Sequence, residues 1–296
     1  MRVFVTGATG FVGSAVVKEL LEAGHMVTAL ARSDANAAAL TAAGADVHRG
    51  SLEEPETLRS AAAAADGVIH CAFNHDFSKW AENCAVDRDA ITALGEALEG
   101  SNRPLIVTSG MALLAPGKVS TEDDRRDPAT SPFPRVSEET GEAFAARGVK
   151  AMTMRLPPSV HGDGDHGFVP TLIRIAREKG ASAYIGDGEN RWPAVHRLDA
   201  ARLYRLALEK GEGGARYHAV GDDGLPFREI ARAIADGLGV PLTGVAPAEA
   251  QKHFGWFAMF AAIDAPTSDA KTRAALGWSP SHVGLIEDLA KGTYFI

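Results

Sequence analysis

Gly7, Gly10 and Gly13 stand three residues apart in "VTGATGFVGSAVVKEL" (5–20), between a β-branched run and an amphipathic one. A G-x-x-G-x-x-G turn in that place has three physical uses. The chain can leave a strand sharply, its backbone can approach a pyrophosphate closely, and the next helix can pack tightly on the sheet. The helix start then offers unpaired N–H groups and a positive dipole end to phosphates. The triplet opens the first strand–turn–helix unit, the context a dinucleotide loop requires. A ligand-free glycine turn is the competing reading, and that context weighs against it.

The end of the second strand selects the dinucleotide. An acidic residue there accepts from the ribose 2′-OH of NAD. "ALARSDANA" (29–37) instead places Arg32 and Ser33 at that point. A guanidinium matches a 2′-phosphate in charge and shape. The expected cofactor is NADP, with NAD second. Asp34 lies further into the loop and reads as a cap for the next helix.

A cofactor that carries hydride leaves the protein to supply geometry and a proton. His75 in "FNHDF" (73–77) follows the fourth strand, and His161 and His166 in "HGDGDHGF" (161–168) follow the sixth. All three fall on the carboxyl edge of the sheet, where ligands of such folds bind. Histidine suits the task because its reference pKa, about 6.5, leaves it partly protonated near neutrality. His75 and His166 are the candidates, with an inert loop role the alternative for each. His161 reads as structural. "HGDGDH" lacks the ligand count and terminal bidentate carboxylate of a calcium loop, so no metal is expected. Asp199 in "VHRLDAARL" (195–203) reads as a helix cap. Phe254, Trp256, Phe257, Met259 and Phe260 in "HFGWFAMF" (253–260) read as the core of a small lobe, or alternatively as the roof of an apolar pocket.

The elements that position these residues follow from periodicity. "RVFVTG", "MVTALAR", "ADVHRG", "GVIHCAF", "PLIVTSG" and "KAMTMRL" are short apolar runs separated by helical patterns. That rhythm means βαβ units and a parallel sheet buried on both faces. The expected fold is α/β, a Rossmann-type doubly wound sheet over 1–160. A smaller, mostly helical substrate lobe covers 161–296, with some segments returning to the first sheet. The 296 residues carry 46% hydrophobic and 23% charged residues and a formal charge of −8. Such a balance speaks against a nucleic-acid surface. No run of about 18 apolar residues exists to span a membrane. Cys71 and Cys84 have no metal or redox spacing and read as reduced thiols. A cytoplasmic monomer or homodimer acting on a small molecule is expected.

"TGATGFVG", Arg32, "VIHCA" (68–72), "IVTSG" (106–110), "MRLPPSVHGDGD" (154–165) and "VHRLDAARL" together resemble the extended short-chain dehydrogenases/reductases. The resemblance runs in order from residue 1 to about 240. It implies that Thr9, Gly10, Phe11 and Val12 line the pyrophosphate, and that Cys71, Ala72 and Phe73 lie along the cofactor. It places Pro157, Ser159 and Val160 near the nicotinamide amide, Ser51 and Leu52 over the adenine, and Ser109 at the substrate oxygen. That family's acid is the tyrosine of Tyr-x-x-x-Lys. Here Pro134 stands at the tyrosine and Glu138 at the lysine, with Ser137 and Glu142 matching their neighbours. The tyrosines are Tyr184, Tyr204, Tyr217 and Tyr294, none within 105–183. The pattern resembles the atypical members that keep the cofactor loop and lack the catalytic pair. The implied activity is an NADP(H)-dependent oxidoreductase acting on a small, fairly apolar carbonyl or conjugated substrate, with Ser109 and His166 or His75 serving the reaction. A non-catalytic NADP-binding sensor and an epimerase or dehydratase are the alternatives.

Overall fold

The protein is described here by a computed structural model covering residues 1–114, 116–126 and 134–296. Its first half alternates strand and helix: β1 (Arg2–Thr6), α1 (Phe11–Glu22), β2 (Met26–Ala31), α2 (Asp34–Ala42), β3 (Asp46–Arg49), α3 (Pro55–Ala63), β4 (Gly67–His70), α4 (Trp80–Leu98), β5 (Pro104–Gly110), α5 (Ser137–Ala146) and β6 (Lys150–Leu156). The second half holds β7 (Ser159–His161), α6 (Phe168–Lys179), β8 (Ser182–Ile185), β9 (Arg191–His196), α7 (Arg197–Lys210), β10 (Arg216–His218), β11 (Asp222–Pro226), α8 (Phe227–Leu238) and β12 (Leu242–Val245). Four short helices follow: α9 (Ala250–Phe254), α10 (Ala258–Ala261), α11 (Ala270–Leu276) and α12 (Leu285–Ala290).

Seven parallel strands form the main sheet in the order β10-β6-β5-β4-β1-β2-β3. Side chains alternate between its faces, as a period of two demands. Val3, Val5, Ile69, Ile106 and Met154 pack under α1 and α7 with Val16, Leu20, Leu203 and Tyr204. Phe4, Val68, Leu105 and Val107 pack under α3, α4 and α5 with Leu58, Ile91, Leu94 and Phe144. The strand order reverses between β1 and β4, the switch point at which sheets of this kind form a ligand crevice at their carboxyl edge. Gly95 on α4 brings α5 close, because a Cβ at that position would lie 2.5 Å from the Phe144 ring.

A separate core forms the smaller lobe, where α6, α8, α9 and α12 enclose Trp192, Phe227 and Phe257. It contains more strand than its sequence suggests. β7, β9 and β11 make a three-stranded sheet, and β8 pairs with β12. Pro193 interrupts β9, and Gly224 and Pro226 interrupt β11. Such residues weaken a strand signature read from one sequence.

Candidate active site

The phosphate loop is built as its glycines require. Gly7 has φ +68, and a Cβ on it would lie 2.7 Å from the Ala72 nitrogen. The end of β4, Cys71 and Ala72, therefore presses directly on the loop. A Cβ on Gly13 would lie 2.1 Å from the Gly7 carbonyl oxygen, so α1 can dock only without one. Gly10 is the N-cap and supplies no side-chain bond, and Thr9 and Gly10 are exposed. The first intrahelical bond is donated by Ser14 N to Gly10 O at 2.9 Å. The N–H groups of Phe11, Val12 and Gly13 are thus left at the positive end of α1 for an anion. This cradle fits a pyrophosphate.

At the other end of the crevice, Arg32 is exposed just beyond β2 and has no polar partner among the described residues. Ser33, rather than Asp34, caps α2, its hydroxyl oxygen accepting from Asn36 N at 3.2 Å. Its own O–H remains available to donate. Asp34 opens the helix and pairs with Arg49 at the end of β3, so its charge is turned to a neighbouring guanidinium. Ser51 and Leu52 are half-buried beside β3, with Ser51 N donating to Glu54 at 3.1 Å and Leu52 packed on the core.

Cys71, Ala72 and Phe73 are half-buried along the crevice. The Cys71 thiol is pushed up to about 12 by burial, which disfavours its thiolate. Pro157 and Ser159 are buried beyond β6, and Ser159 Oγ has no partner. Val160 packs on the sheet core. Ser109 is the next-to-last residue of β5, on the face opposite Thr108. Thr108 Oγ1 bonds the Tyr204 hydroxyl at 2.7 Å, and burial seals that phenol off from the crevice. The Ser109 hydroxyl makes no hydrogen bond among the described residues and remains free for a substrate oxygen.

The segment at 131–144 divides three ways. Residues 131–133 lie outside the described residues. Pro134 is exposed and offers no proton. Glu138 faces β6, where Arg155, fully buried, donates Nε to its Oε2 at 2.9 Å. Arg216 donates Nε to Glu138 Oε1 at 3.0 Å and also pairs with Glu142. At the lysine position the chain therefore has a structural carboxylate between two guanidiniums. Arg135, which the sequence reading passed over, stands in the crevice instead. Its guanidinium carbon lies 4.0 Å over the Phe73 ring centroid. Its Nε donates to Ser137 Oγ at 2.8 Å, and its Nη2 to the Thr108 carbonyl at 3.0 Å. Ser137 donates to Asp87, Asp87 Oδ1 is 3.2 Å from His70 Nε2, and His70 Nδ1 is 2.8 Å from Thr6 Oγ1. A buried polar chain thus runs from the foot of the phosphate loop to Arg135. Burial opposes ionisation of Asp87, but the His70 bond and the Arg135 charge outweigh it and hold its pKa low. The sequence signal was a lone cation one residue past the expected acid.

The two candidate histidines sit at the mouth of the crevice. His75 meets Phe73 edge-on at 5.2 Å. Desolvation by the surrounding protein, with the nearby Arg135 charge, lowers its pKa to about 4. His166 is exposed and meets Phe11 of the phosphate loop edge-on at 5.8 Å. His161 is buried, with Nδ1 2.9 Å from Asp288. Asp199 is buried at the start of α7 and accepts from Ser281 and His282 N, tying down the tail rather than capping its own helix. Among the described residues no His/Cys/Asp/Glu group suits a metal.

An aromatic wall closes the crevice. Phe77 stacks on Trp80 at 4.9 Å and approaches Trp256 at 5.2 Å and Phe260 at 5.3 Å. The stretch 253–260 is therefore mixed. Phe254, Phe257 and Phe260 are buried in the lobe core, whereas Trp256 and Met259 are 49% and 51% exposed.

Sheet order, phosphate cradle and edge crevice define a Rossmann-type dinucleotide-binding protein. The chain belongs to the NAD dependent epimerase/dehydratase family, which it matches over residues 3–220, and is an oxidoreductase of that NAD(P)-dependent group. An uncharacterized protein of Schizosaccharomyces pombe is 52% identical over 100% of both chains. The 2-alkyl-3-oxoalkanoate reductase of Stenotrophomonas maltophilia is 28% identical, covering 81% of this chain and 77% of its own. The dTDP-glucose 4,6-dehydratase DesIV of Streptomyces venezuelae, solved with NAD and TYD bound, shares the fold with a TM-score of 0.78 at 21% identity, covering 99% and 96%. Among the described residues no helix is long and apolar enough to cross a membrane.

Proposed function

We propose that the protein is an NADP(H)-dependent reductase of a small, fairly apolar carbonyl or conjugated compound. The observation that carries this reading is an aromatic cluster of Phe73, Phe77, Trp80 and Phe260 at the carboxyl edge of the sheet, together with a serine hydroxyl, Ser109 near the end of β5, that has no hydrogen-bond partner among the described residues. The similarity to a reductase of 2-alkyl-3-oxoalkanoates supports it. A bound NADPH would supply the hydride chemistry at the carbonyl carbon. Ser109 then donates a hydrogen bond to the carbonyl oxygen as the C=O electron pair moves onto it. A proton completes the alcohol, with His166, exposed beside Phe11 of the phosphate loop, as its proposed donor.

NADP is favoured over NAD because Arg32 is an unpaired cation at the ribose end and Asp34 is occupied by Arg49. Charge-assisted contacts contribute roughly 1.5–3 kcal/mol, which is about tenfold to over a hundredfold in affinity. Titration of the protein with both cofactors should show NADPH binding tighter by that margin, and Arg32→Asp should invert the order. Equal affinities in the unmutated protein refute the NADP assignment. Oxidation of NADPH with a panel of apolar ketones and quinones tests the reductase reading. Tight cofactor binding with no turnover across the panel would favour a sensor instead.

A further inference from the structure

We propose that Arg135 makes the crevice a site for anionic carbonyl compounds, namely 3-oxo acids with an apolar or aromatic body, whose carboxylate its guanidinium holds beside Ser109. This rests on the reductase reading above and narrows its substrate.

A guanidinium carries five N–H donors. Arg135 spends two, on Ser137 and on the Thr108 carbonyl, and the others have no partner among the described residues. Its side chain is only 12% exposed, so these donors are largely withdrawn from bulk water. The nearest carboxylate, Asp87, is 4.0 Å away. Both Asp87 oxygens are engaged, one by Ser137 and one by His70, so Asp87 steadies the guanidinium without closing its free edge. The other acids of this region are also spoken for. Glu139 accepts from Arg126 at 2.7 Å, Glu142 pairs with Arg125 and Arg216, and Glu138 with Arg155. What remains is a cation held by Ser137 and the Thr108 carbonyl, with spare donors, over the Phe73 ring, which itself meets Trp80.

The planar fork of arginine matches the two oxygens of a carboxylate. A lost fork is not replaced by the point charge of lysine. The aromatic wall beside it offers an apolar body area to bury against. A substrate that satisfies both has a carboxylate close to a carbonyl and an apolar remainder, which describes a 3-oxo acid.

The probes are benzoate and its neutral counterpart benzamide, titrated calorimetrically into NADP⁺-saturated protein. Benzoate should bind at least tenfold more tightly than benzamide. Arg135→Gln should weaken benzoate by about tenfold to a hundredfold, and Arg135→Lys should restore only part of it. NADPH affinity should be unchanged in both variants, which reports an intact fold. In turnover, 3-oxo-3-phenylpropanoate should exceed acetophenone in kcat/KM, mainly through KM, and Arg135→Gln should erase that preference. Benzoate binding no better than benzamide, or binding indifferent to Arg135→Gln, overturns the proposal. If benzoate behaves as expected while no carbonyl turns over, the anion site is upheld and it is the reductase reading that fails.

Discussion

His75 and His166 are the two histidines proposed as proton donors at the carboxyl edge of the sheet. A His75 pKa of about 4, set by desolvation and Arg135, leaves that ring neutral throughout the physiological range. A neutral imidazole accepts a proton but has none to spare at its second role of general acid. His166 is exposed beside Phe11, its Nδ1 3.3 Å from Gly164 O. His166→Phe should therefore lower NADPH oxidation with a true substrate by about a hundredfold or more, the usual loss of a general acid. His75→Phe should change the rate far less, and cofactor affinity should survive both. Normal turnover in His166→Phe would remove the histidine from the mechanism and assign proton delivery to water at Ser109.

At the scale of elements, α5 shows what one sequence reveals and what it hides. The helix itself was legible from "SEETGEAFAA", and the absence of tyrosine and lysine there needed only counting. The reason for Glu138 was not legible, because Arg155 and Arg216 are 17 and 78 residues away. The strands β1 to β6 announced themselves as buried β-branched runs, while β9 and β11 were masked by Pro193, Gly224 and Pro226. Likewise the cofactor loop is a local motif, whereas the Thr6–His70–Asp87–Ser137–Arg135 chain is assembled from four separate elements and loops. The Glu138 cluster carries its own prediction. Removing one member of a buried ion pair typically costs about 3–5 kcal/mol, because the partner charge stays buried unpaired. Glu138→Gln should lose that much, seen as a lower urea midpoint at unchanged slope. Glu138→Lys, although it restores the residue type usual in the resembled dehydrogenases, should be worse, because it sets a third cation against Arg155 and Arg216. A stable, active Glu138→Lys protein would show that the cluster is not structural.

Across the whole molecule, the last residues of the chain hold the loop that presents His166. Tyr294 accepts from Gly162 N at 3.0 Å and donates to Asp165 Oδ2 at 3.1 Å. Phe295 fills the hollow over Gly237, where a Cβ would lie 2.1 Å from its ring, and its carbonyl accepts from Arg177 at 2.8 Å. Asp288 meets His161 at the loop's start. Tyr294→Phe leaves the Gly162 donor without its acceptor and should cost about 1–3 kcal/mol. Hydrogen exchange should quicken at 162–167. Burial raises the Asp165 carboxyl from 3.8 to about 6, so the folded protein keeps this proton to a higher pH than the unfolded chain. The stability it contributes is complete below about pH 4 and is lost as pH rises through 6. The stability of the native protein relative to Asp165→Asn should therefore fall between pH 4 and pH 7. A stability difference equal at both pH values would mean that Asp165 titrates normally and that the clasp does not bury its carboxyl.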